Sequence, residues 1–436
     1  MKFFEHITDK VELIESYKVL GFTILEKATV RYRRHPNSNM ALSKVYKRLF
    51  GRVVYKAKYY NINGLFKKDL SLFSIPIFEK LNLNGYRLLF VLGIKVYSKP
   101  LKFLTDFKSE CVDGLDKNYD DIYIVLHHVG DAFRTFTMIK SIIQVKQSKN
   151  PLIMVFDDSF VDLMKMMRLE IPYIKIQTSK PFKKRMESQF STDEFYLGGF
   201  RFLLLWSRYF HYSKILPLVY SLPSDTHILS IYAAANNVTY DNNSMGKLEA
   251  IPEAEISMLK KSKHAGLNLD NFVFVAPEAY AHEMFYEGFW EKLIKALQNT
   301  GYDVFLNTVA CKGILQQGSY TKDDKSKMFN LDKMQNIKSF YLTIAEAFAL
   351  ACRAKKIISH RSGLSELLVQ TDVPMCVIYS GNNRNAVEQF KIKNVLTNSP
   401  FANPDKINEI NVVGMDFDDI MRAISDMLSI KLSTKI

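Results

Sequence analysis

The feature that most constrains this chain is an alternation that appears twice. From Tyr119 onward, short apolar runs rich in β-branched residues give way to helical stretches, and the same texture restarts near residue 270. In the first series, IYIVLHH (122–128) reads as a strand, VGD (129–131) as a tight turn and 132–147 as a helix. PLIMVFDD (151–158), IPYIKIQ (171–177) and HILSIYAA (227–234) read as further strands, with a helical, aromatic-rich stretch around 194–212. The second series reads FVFVAPEA (272–279), a helix FWEKLIKALQNT (289–300) stopped by Gly301, and YDVFLN (302–307). It continues with a helix over 343–354, a strand KKIISH (355–360), a helix LSELLVQ (364–370), and strands MCVIYS (375–380) and NVLTN (394–398). A helix over 416–428 closes it. Runs that are apolar throughout belong to strands buried on both faces, and helices between them cover a parallel sheet on either side. The fold class expected is therefore α/β. The polar interval 236–268 reads as a linker, and two successive α/β halves imply a cleft between them. The expected divisions are 1–115, 116–255, 256–405 and 406–436.

The first 115 residues have a different character and read as an accessory region. Residues 1–120 hold 22 Lys/Arg against 12 Asp/Glu, +10 of the chain's formal +14. Between 27 and 68 there are twelve basic residues and no acid, interleaved with tyrosine and phenylalanine. That mixture suits an anionic partner: a phospholipid surface, where each Lys or Arg adds about 1 kcal/mol, or, less favoured, nucleic acid. The alternative is a solvated face that keeps the protein soluble. One apolar frame occurs three times, as VLGFTILEK (19–27), LFSIPIFEK (72–80) and VLGIKVYSK (91–99), and its central alternation predicts short strands. The acids in MKFFEHITDKVELIESYK do not suit a secretory leader. No apolar stretch reaches the ~18 residues of a membrane span. The four cysteines, Cys111, Cys311, Cys352 and Cys376, have no metal-ligand spacing and read as buried thiols in a reducing compartment. The location expected is cytoplasmic, or peripheral on the cytoplasmic face of an inner membrane.

One short stretch bears directly on chemistry. In IISHRSGLSELL (357–368), a strand ends at Ser359 and a helix is expected to begin with Ser362 as N-cap and Gly363 in its first turn. Free N–H groups at such a helix start, beside the carboxyl end of a parallel strand, attract an anion. Gly363 would let a phosphate approach the backbone, and Arg361 would add a bidentate contact. Glu366, one turn in, would accept from ribose or sugar hydroxyls. His360, Ser365 and Glu278 complete the expected donor-binding set. The alternative is an ordinary capped turn with an exposed Arg and Glu.

The segment AEAFALACRAKKIISHRSGLSELLVQTDVPMCVIYS resembles the C-terminal half of bacterial lipopolysaccharide heptosyltransferases, through Ser362, Gly363 and Pro374. HHVGDAFRTFTMIKSI is similar to that family's first strand–turn–helix, and FVFVAPEA with FWEKLIKALQNTGYDVFLN to the start of its donor domain. The resemblance covers about 119–400. It implies a GT-B fold, two Rossmann-like domains facing across a cleft, here with a basic N-terminal extension. It also implies Asp131 as general base, with Gly130 opening its turn. Arg361 stands where the family carries an acid and Glu366 where it carries His, while Glu278 and His282 occupy a loop that would hold Lys. These departures turn the expectation from ADP-heptose toward another nucleotide sugar. The three N-terminal repeats are similar to segments preceding the catalytic part of capsule and lipopolysaccharide glycosyltransferases, which points to a surface-glycan or glycolipid acceptor.

The reaction implied is inverting and metal-independent, with no cofactor beyond the donor. Asp131 would deprotonate an acceptor hydroxyl, and the amides at 363–365 with Arg361 would stabilise the departing diphosphate. Arg134 would reach a phosphate, and His127 or His128 would contact substrate. No DxD pair stands out, although Asp157-Asp158 ends a strand. Two rival readings stay open: a nucleotide-sugar epimerase of the same fold, and a non-enzymatic basic protein.

Overall fold

The computed structural model describes the strands between residues 2 and 100, then 102–126, 129–178, 194–206, 215, 218, 228–239 and 247–279. It also describes 289–308, 314–316, 328–330, 337–379, 402–412 and 414–432. The chain divides into two compact units. One comprises Met1–His127, Ser148–Phe156 and Pro172–Pro217; the other comprises His128–Gln147, Asp157–Ile171 and Leu218–Ile436.

The first unit begins with a nine-stranded antiparallel meander in chain order. Its strands are β1 (Lys2–Ile7), β2 (Lys10–Val19), β3 (Phe22–Tyr32), β4 (Ala41–Leu49) and β5 (Arg52–Ile62), followed by β6 (Leu65–Leu72), β7 (Ile75–Leu83), β8 (Tyr86–Val91) and β9 (Ile94–Pro100). Almost all neighbours are two residues apart in sequence, a spacing that only antiparallel pairing accommodates. The alternating centres of the three repeated segments are strands, as expected, lying in β3, β7 and β9, but each segment starts on the strand before. Each crosses a hairpin, with Val19 paired to Phe22, Leu72 to Ile75 and Val91 to Ile94. A fourth relative of the frame, LFGRVVYK (49–56), crosses the hairpin that pairs Leu49 with Arg52. The ladder slips at the same place in all four hairpins: Tyr17/Lys18, Lys47/Arg48, Leu70/Ser71 and Leu89/Phe90. A one-residue irregularity repeated at a fixed distance from the turn is a designed bulge, which twists the ribbon each time.

A short helix, α1 (Lys102–Phe107), leads to a five-stranded sheet of β10 (Asp121–Val125), β11 (Pro151–Val155), β12 (Tyr173–Lys175), β13 (Glu194–Leu197) and β14 (Phe200–Trp206). Its order is β12-β11-β10-β14-β13, parallel except for the β13–β14 hairpin. The expected helix around 194–212 is thus corrected. Gly198 and Gly199 take φ values of +63° and +93°, open to glycine, and fold the stretch back on itself. Phe195 then stacks on Phe202 at 5.0 Å across the pair.

In the second unit, Val129–Thr137 forms α2, Ile139–Lys146 α3 and Asp158–Met166 α4. VGD is therefore the first turn of α2 and not a separate tight turn. HILSIYAA, expected as a strand, is helical: α5 spans Ile228–Ala235. Leu229, Ile231, Tyr232, Ala233 and Ala235 are buried and Ala234 is exposed, so the helix is covered on nearly every side and its apolar run carries no period to tell it from a buried strand. The expected linker contains a helix, α6 (Pro252–His264), with Glu253 and Glu255 in its first turn and Lys261, Lys263 and His264 in its last. Those charges complement the helix dipole, so polarity here marks helix ends.

The sheet of this unit is built from β15 (Phe272–Ala276), β16 (Asp303–Leu306), β19 (Ile337–Lys338), β20 (Lys356–His360), β21 (Met375–Tyr379) and β22 (Ile407–Asn411). Two three-residue strands, β17 (Ile314–Gln316) and β18 (Met328–Asn330), pair separately. Its helices are α7 (Phe289–Gln298), α8 (Ile344–Ala351), α9 (Ser365–Leu368) and α10 (Phe417–Leu428). The order is β19-β16-β15-β20-β21-β22, all parallel. The edge strand is β22; NVLTN lies outside the described residues. Alternate residues of β15 feed opposite cores: Val273 and Val275 meet Trp290, Leu293 and Ile424, whereas Phe272 and Phe274 meet Met258 and Leu350. Each such buried side chain contributes about 1.5–3 kcal/mol, so the strand is pinned from both faces. Gly301, at φ +86°, ends α7 as expected. Cys111 and Cys376 are buried, and burial raises both thiols to a pKa of about 12. Cys352 is exposed, contrary to expectation, and Cys311 lies outside the described residues. No helix among the described residues is long and apolar enough to cross a membrane.

Candidate active site

Numbered within its own sheet, the strand order of the second unit is 3-2-1-4-5-6, with β15 first and β20 fourth. Chain connections leave these two neighbours in opposite directions, which opens a crevice beyond their carboxyl ends. A cavity of about 670 Å³ lies there, lined by Ala276, Glu278 and Ala279 after β15, Asn307 and Thr308 after β16, and Arg361–Gly363 after β20. Its remaining wall comes from α2, from the start of α4, from Tyr341–Ile344 and Ala347 at the start of α8, and from Leu364 and Glu366. All of these residues belong to the second unit.

Two glycines bring the starts of α2 and the turn after β20 together. A Cβ on Gly130 would lie 2.9 Å from the Gly363 Cα, and one on Gly363 would lie 2.8 Å from the Gly130 nitrogen. Both positions therefore demand glycine, and the contact is backbone to backbone. Packing against Gly130 is by itself enough to require a bare Gly363, a reason the sequence did not suggest.

Around that contact lies a closed set of charges. The Arg134 guanidinium forks onto Glu366, with Nε donating to Oε2 at 2.7 Å and Nη2 to Oε1. Arg361 donates from Nη2 to Glu366 Oε1 at 2.7 Å and from Nη1 to the Ser362 carbonyl at 2.6 Å. Arg134 Nη1 also donates to Asp131 Oδ1 at 3.3 Å and to the Tyr232 hydroxyl at 3.1 Å. The Tyr232 hydroxyl in turn donates to Asp131 Oδ1. Burial disfavours the charged form of both arginines, but Glu366, joined by Tyr232 and Asp131 at Arg134 and by Tyr379 at Arg361, more than offsets this, so each holds its proton more tightly than a free guanidinium. The Asp131 side chain keeps 17% of its exposure, against 8% for Glu366. Among the described residues, the hydrogen bonds to Asp131 fall on Oδ1.

Of the residues singled out in the sequence, Gly130, Asp131, Arg134, Glu278, Arg361, Ser362, Gly363 and Glu366 line this cavity. Ser365 is not among the lining residues; its hydroxyl donates to the Ser362 carbonyl at 2.6 Å and accepts the Ser362 N–H at 3.0 Å. His360 is buried, with Nδ1 3.2 Å from the Pro277 carbonyl and its ring 6.3 Å from that of Trp290. His128 lies outside the described residues. Ser362 does not cap a helix: α9 starts only at Ser365, spans four residues and has no side-chain cap. The free helix start expected at 363–365 is thus reduced to a single turn. Glu366, expected to face sugar hydroxyls, has both oxygens on guanidinium groups. Arg361, exposed in the alternative reading, is buried; its Nε carries no hydrogen bond among the described residues.

Sequence reasoning passed over Tyr232, Asn307, Thr308, Asp162 and Tyr341. Tyr232 sat in a run read as a strand, Asp162 lies inside α4, and Asn307, Thr308 and Tyr341 lie beside element ends without a motif. Asp157 is the N-cap of α4, accepting from the Ser159 amide at 3.1 Å. Among the described residues, no group of three or more His, Cys, Asp or Glu side chains is placed to hold a metal ion.

No family model matches the chain, and no curated protein matches it in sequence. Among solved structures it is similar to a family 9 glycosyl transferase from Veillonella parvula DSM 2008, at 10% identity and TM-score 0.40, over 73% of this chain and 90% of that one. It is similar to the E. coli ADP-heptose lipopolysaccharide heptosyltransferase II, at 12% identity and TM-score 0.42, over 71% and 98%. It is also similar to the iron-containing dodecameric glycosyltransferase TibC from enterotoxigenic E. coli H10407, at 13% identity and TM-score 0.38, over 80% and 75%.

Proposed function

We propose that the chain is a glycosyltransferase that moves a sugar from a nucleotide-sugar donor to a lipopolysaccharide or capsule acceptor, with inversion and without a metal. In this reading it is a GT-B enzyme, with 116–255 serving the acceptor and 256–405 the donor. One observation carries it: Asp131 and the Arg361–Gly363 turn line a single cavity at the switch point of the parallel sheet. That crevice is where open α/β sheets bind nucleotides.

The chemistry follows from the groups present. The acceptor oxygen bonds to the anomeric carbon as its proton passes to Asp131, and the sugar–phosphate bond breaks with its electrons leaving on the diphosphate. Asp131 suits the task because one of its oxygens is tethered by Tyr232 and Arg134 while the side chain stays partly open. Arg134, Arg361 and Glu366 together carry one positive charge beside Asp131. The arriving diphosphate meets the buried Arg361 guanidinium, where low surrounding polarity strengthens the attraction. The basic strands of 27–68 would hold the protein at an anionic membrane on the cytoplasmic side.

A panel of UDP-, GDP- and ADP-linked sugars, ADP-heptose included, tests the reading by thermal shift and by nucleoside diphosphate release. A ligand that binds only the folded chain raises its melting temperature. A shift of several degrees with at least one sugar nucleotide, accompanied by diphosphate release, is expected. No shift with any member overturns the proposal, and epimerised sugar nucleotide formed without acceptor replaces it with the epimerase.

A further inference from the structure

The α5 residue Tyr232 has no place in the chemistry read from the sequence, yet its hydroxyl touches two members of the site. Arg134 Nη1 approaches the phenol oxygen at 3.1 Å. A guanidinium has no lone pair to offer, so it can only donate, and the phenol oxygen must accept. The phenol proton goes to Asp131 Oδ1, because an ionised carboxylate oxygen can only accept. The same oxygen of Asp131 also takes the Arg134 Nη1 bond at 3.3 Å. Arg134 in turn lies over the Tyr232 ring at 5.1 Å, and Glu366 holds its far edge. The direction of every bond in this triangle is fixed by the donor inventory, and the triangle grips one carboxylate oxygen.

We propose that Tyr232 is a positioning residue for Asp131: its hydroxyl, oriented by Arg134, ties down Oδ1 and leaves Oδ2 to take the acceptor's proton. This rests on the glycosyltransferase reading for its reaction, but the placement of the carboxylate does not. Besides Arg134, the charged and titratable groups lining the cavity around the pair are Arg361, Glu366, Asp157, Asp158, Asp162, Glu278 and Tyr341. None of the bonds just described depends on them except through Glu366.

The test is Tyr232→Phe in the full chain, which removes one oxygen and keeps the ring beneath Arg134. With whichever nucleotide sugar of the panel is turned over, kcat falls by about tenfold to a hundredfold, the scale set by a misplaced reacting group. The donor KM and the donor-induced thermal shift stay at their wild-type values, a split that a general loss of structure would not produce. An unchanged kcat, or a loss confined to KM, overturns the proposal. If Tyr232→Phe does not fold, fluorotyrosines at 232 keep the shape and grade the strength of the donor; kcat that is flat across the series overturns the proposal equally. If no nucleotide sugar is turned over, the glycosyltransferase reading fails separately. The positioning role is then read by carbodiimide labelling of Asp131 in the folded chain. Labelling several-fold higher in Tyr232→Phe supports it, and labelling at the wild-type level overturns it.

Discussion

After β10 the chain enters a nine-residue helix whose first turn carries Gly130 and Asp131; after β20 it enters a four-residue helix with Gly363 before it and Glu366 inside. The two junctions meet glycine to glycine and both bring a carboxylate and an arginine to one cavity. They use them differently. On the α2 side the Asp131 side chain stays partly open to solvent. On the α9 side, Glu366 is covered and gripped by two arginines. Equal composition at two turns therefore divides into a reactive group and a brace, and the division is set by which carboxylate the buried guanidinium groups surround.

That contrast can be broken from either side. Asp131→Asn keeps the shape of the open carboxylate and removes its basicity, so turnover should fall by about 10²–10⁴-fold, with the donor-induced thermal shift retained. Near-wild-type turnover would mean that the open side is not the reactive one. Glu366→Ala strands two buried arginines without their counter-charge, and urea denaturation should show a loss of about 3–5 kcal/mol. Asp131→Ala, at the more exposed position, should cost clearly less; equal losses would erase the distinction. Gly363→Ala drives a Cβ to 2.8 Å from the Gly130 nitrogen, and backbone cannot step aside as a flexible side chain can. The expected loss is about 1–3 kcal/mol, whereas Gly114→Ala, with nothing within 4 Å, should stay within about 0.5 kcal/mol.

The smallest effect is a control outside the cavity. Burial would raise the pKa of Glu346, but hydrogen bonds from Lys261, Ser257 and the Thr343 amide more than offset it and hold it below its ordinary 4.5. A depressed carboxylate stabilises the fold above that ordinary value and loses its contribution as the pH falls through the lowered one. Glu346→Gln should therefore be less stable than wild type at neutral pH, with the gap in melting temperature narrowing below pH 4.5. A gap independent of pH would show that the ion pair with Lys261 is not its source.

How far the sequence could be read follows from the distances involved. The succession β15, α7, Gly301, β16 was legible because each step is decided by a few neighbouring residues. The runs 228–234 and 194–206 exchanged their roles because short apolar segments carry no decisive period and Gly198-Gly199 was not weighed as a turn. The glycines of both junctions were legible as glycines; the reason for each was not, since each is the other's reason. Glu366 meets Arg134 across 232 positions and Tyr232 meets Asp131 across 101. No local pattern encodes such pairs, so the brace and the tether appeared only with the fold.

The recurring slip in the N-terminal meander has a consequence for how such a sheet can change in length. Because β2/β3, β4/β5, β6/β7 and β8/β9 each carry their own offset beside the turn, a two-strand module brings its own correction and leaves the rest of the ladder aligned. Inserting or excising one whole module preserves the direction in which β9 delivers the chain to α1. Excising a single strand would reverse every strand that follows it, so this meander can grow or shrink only in even steps.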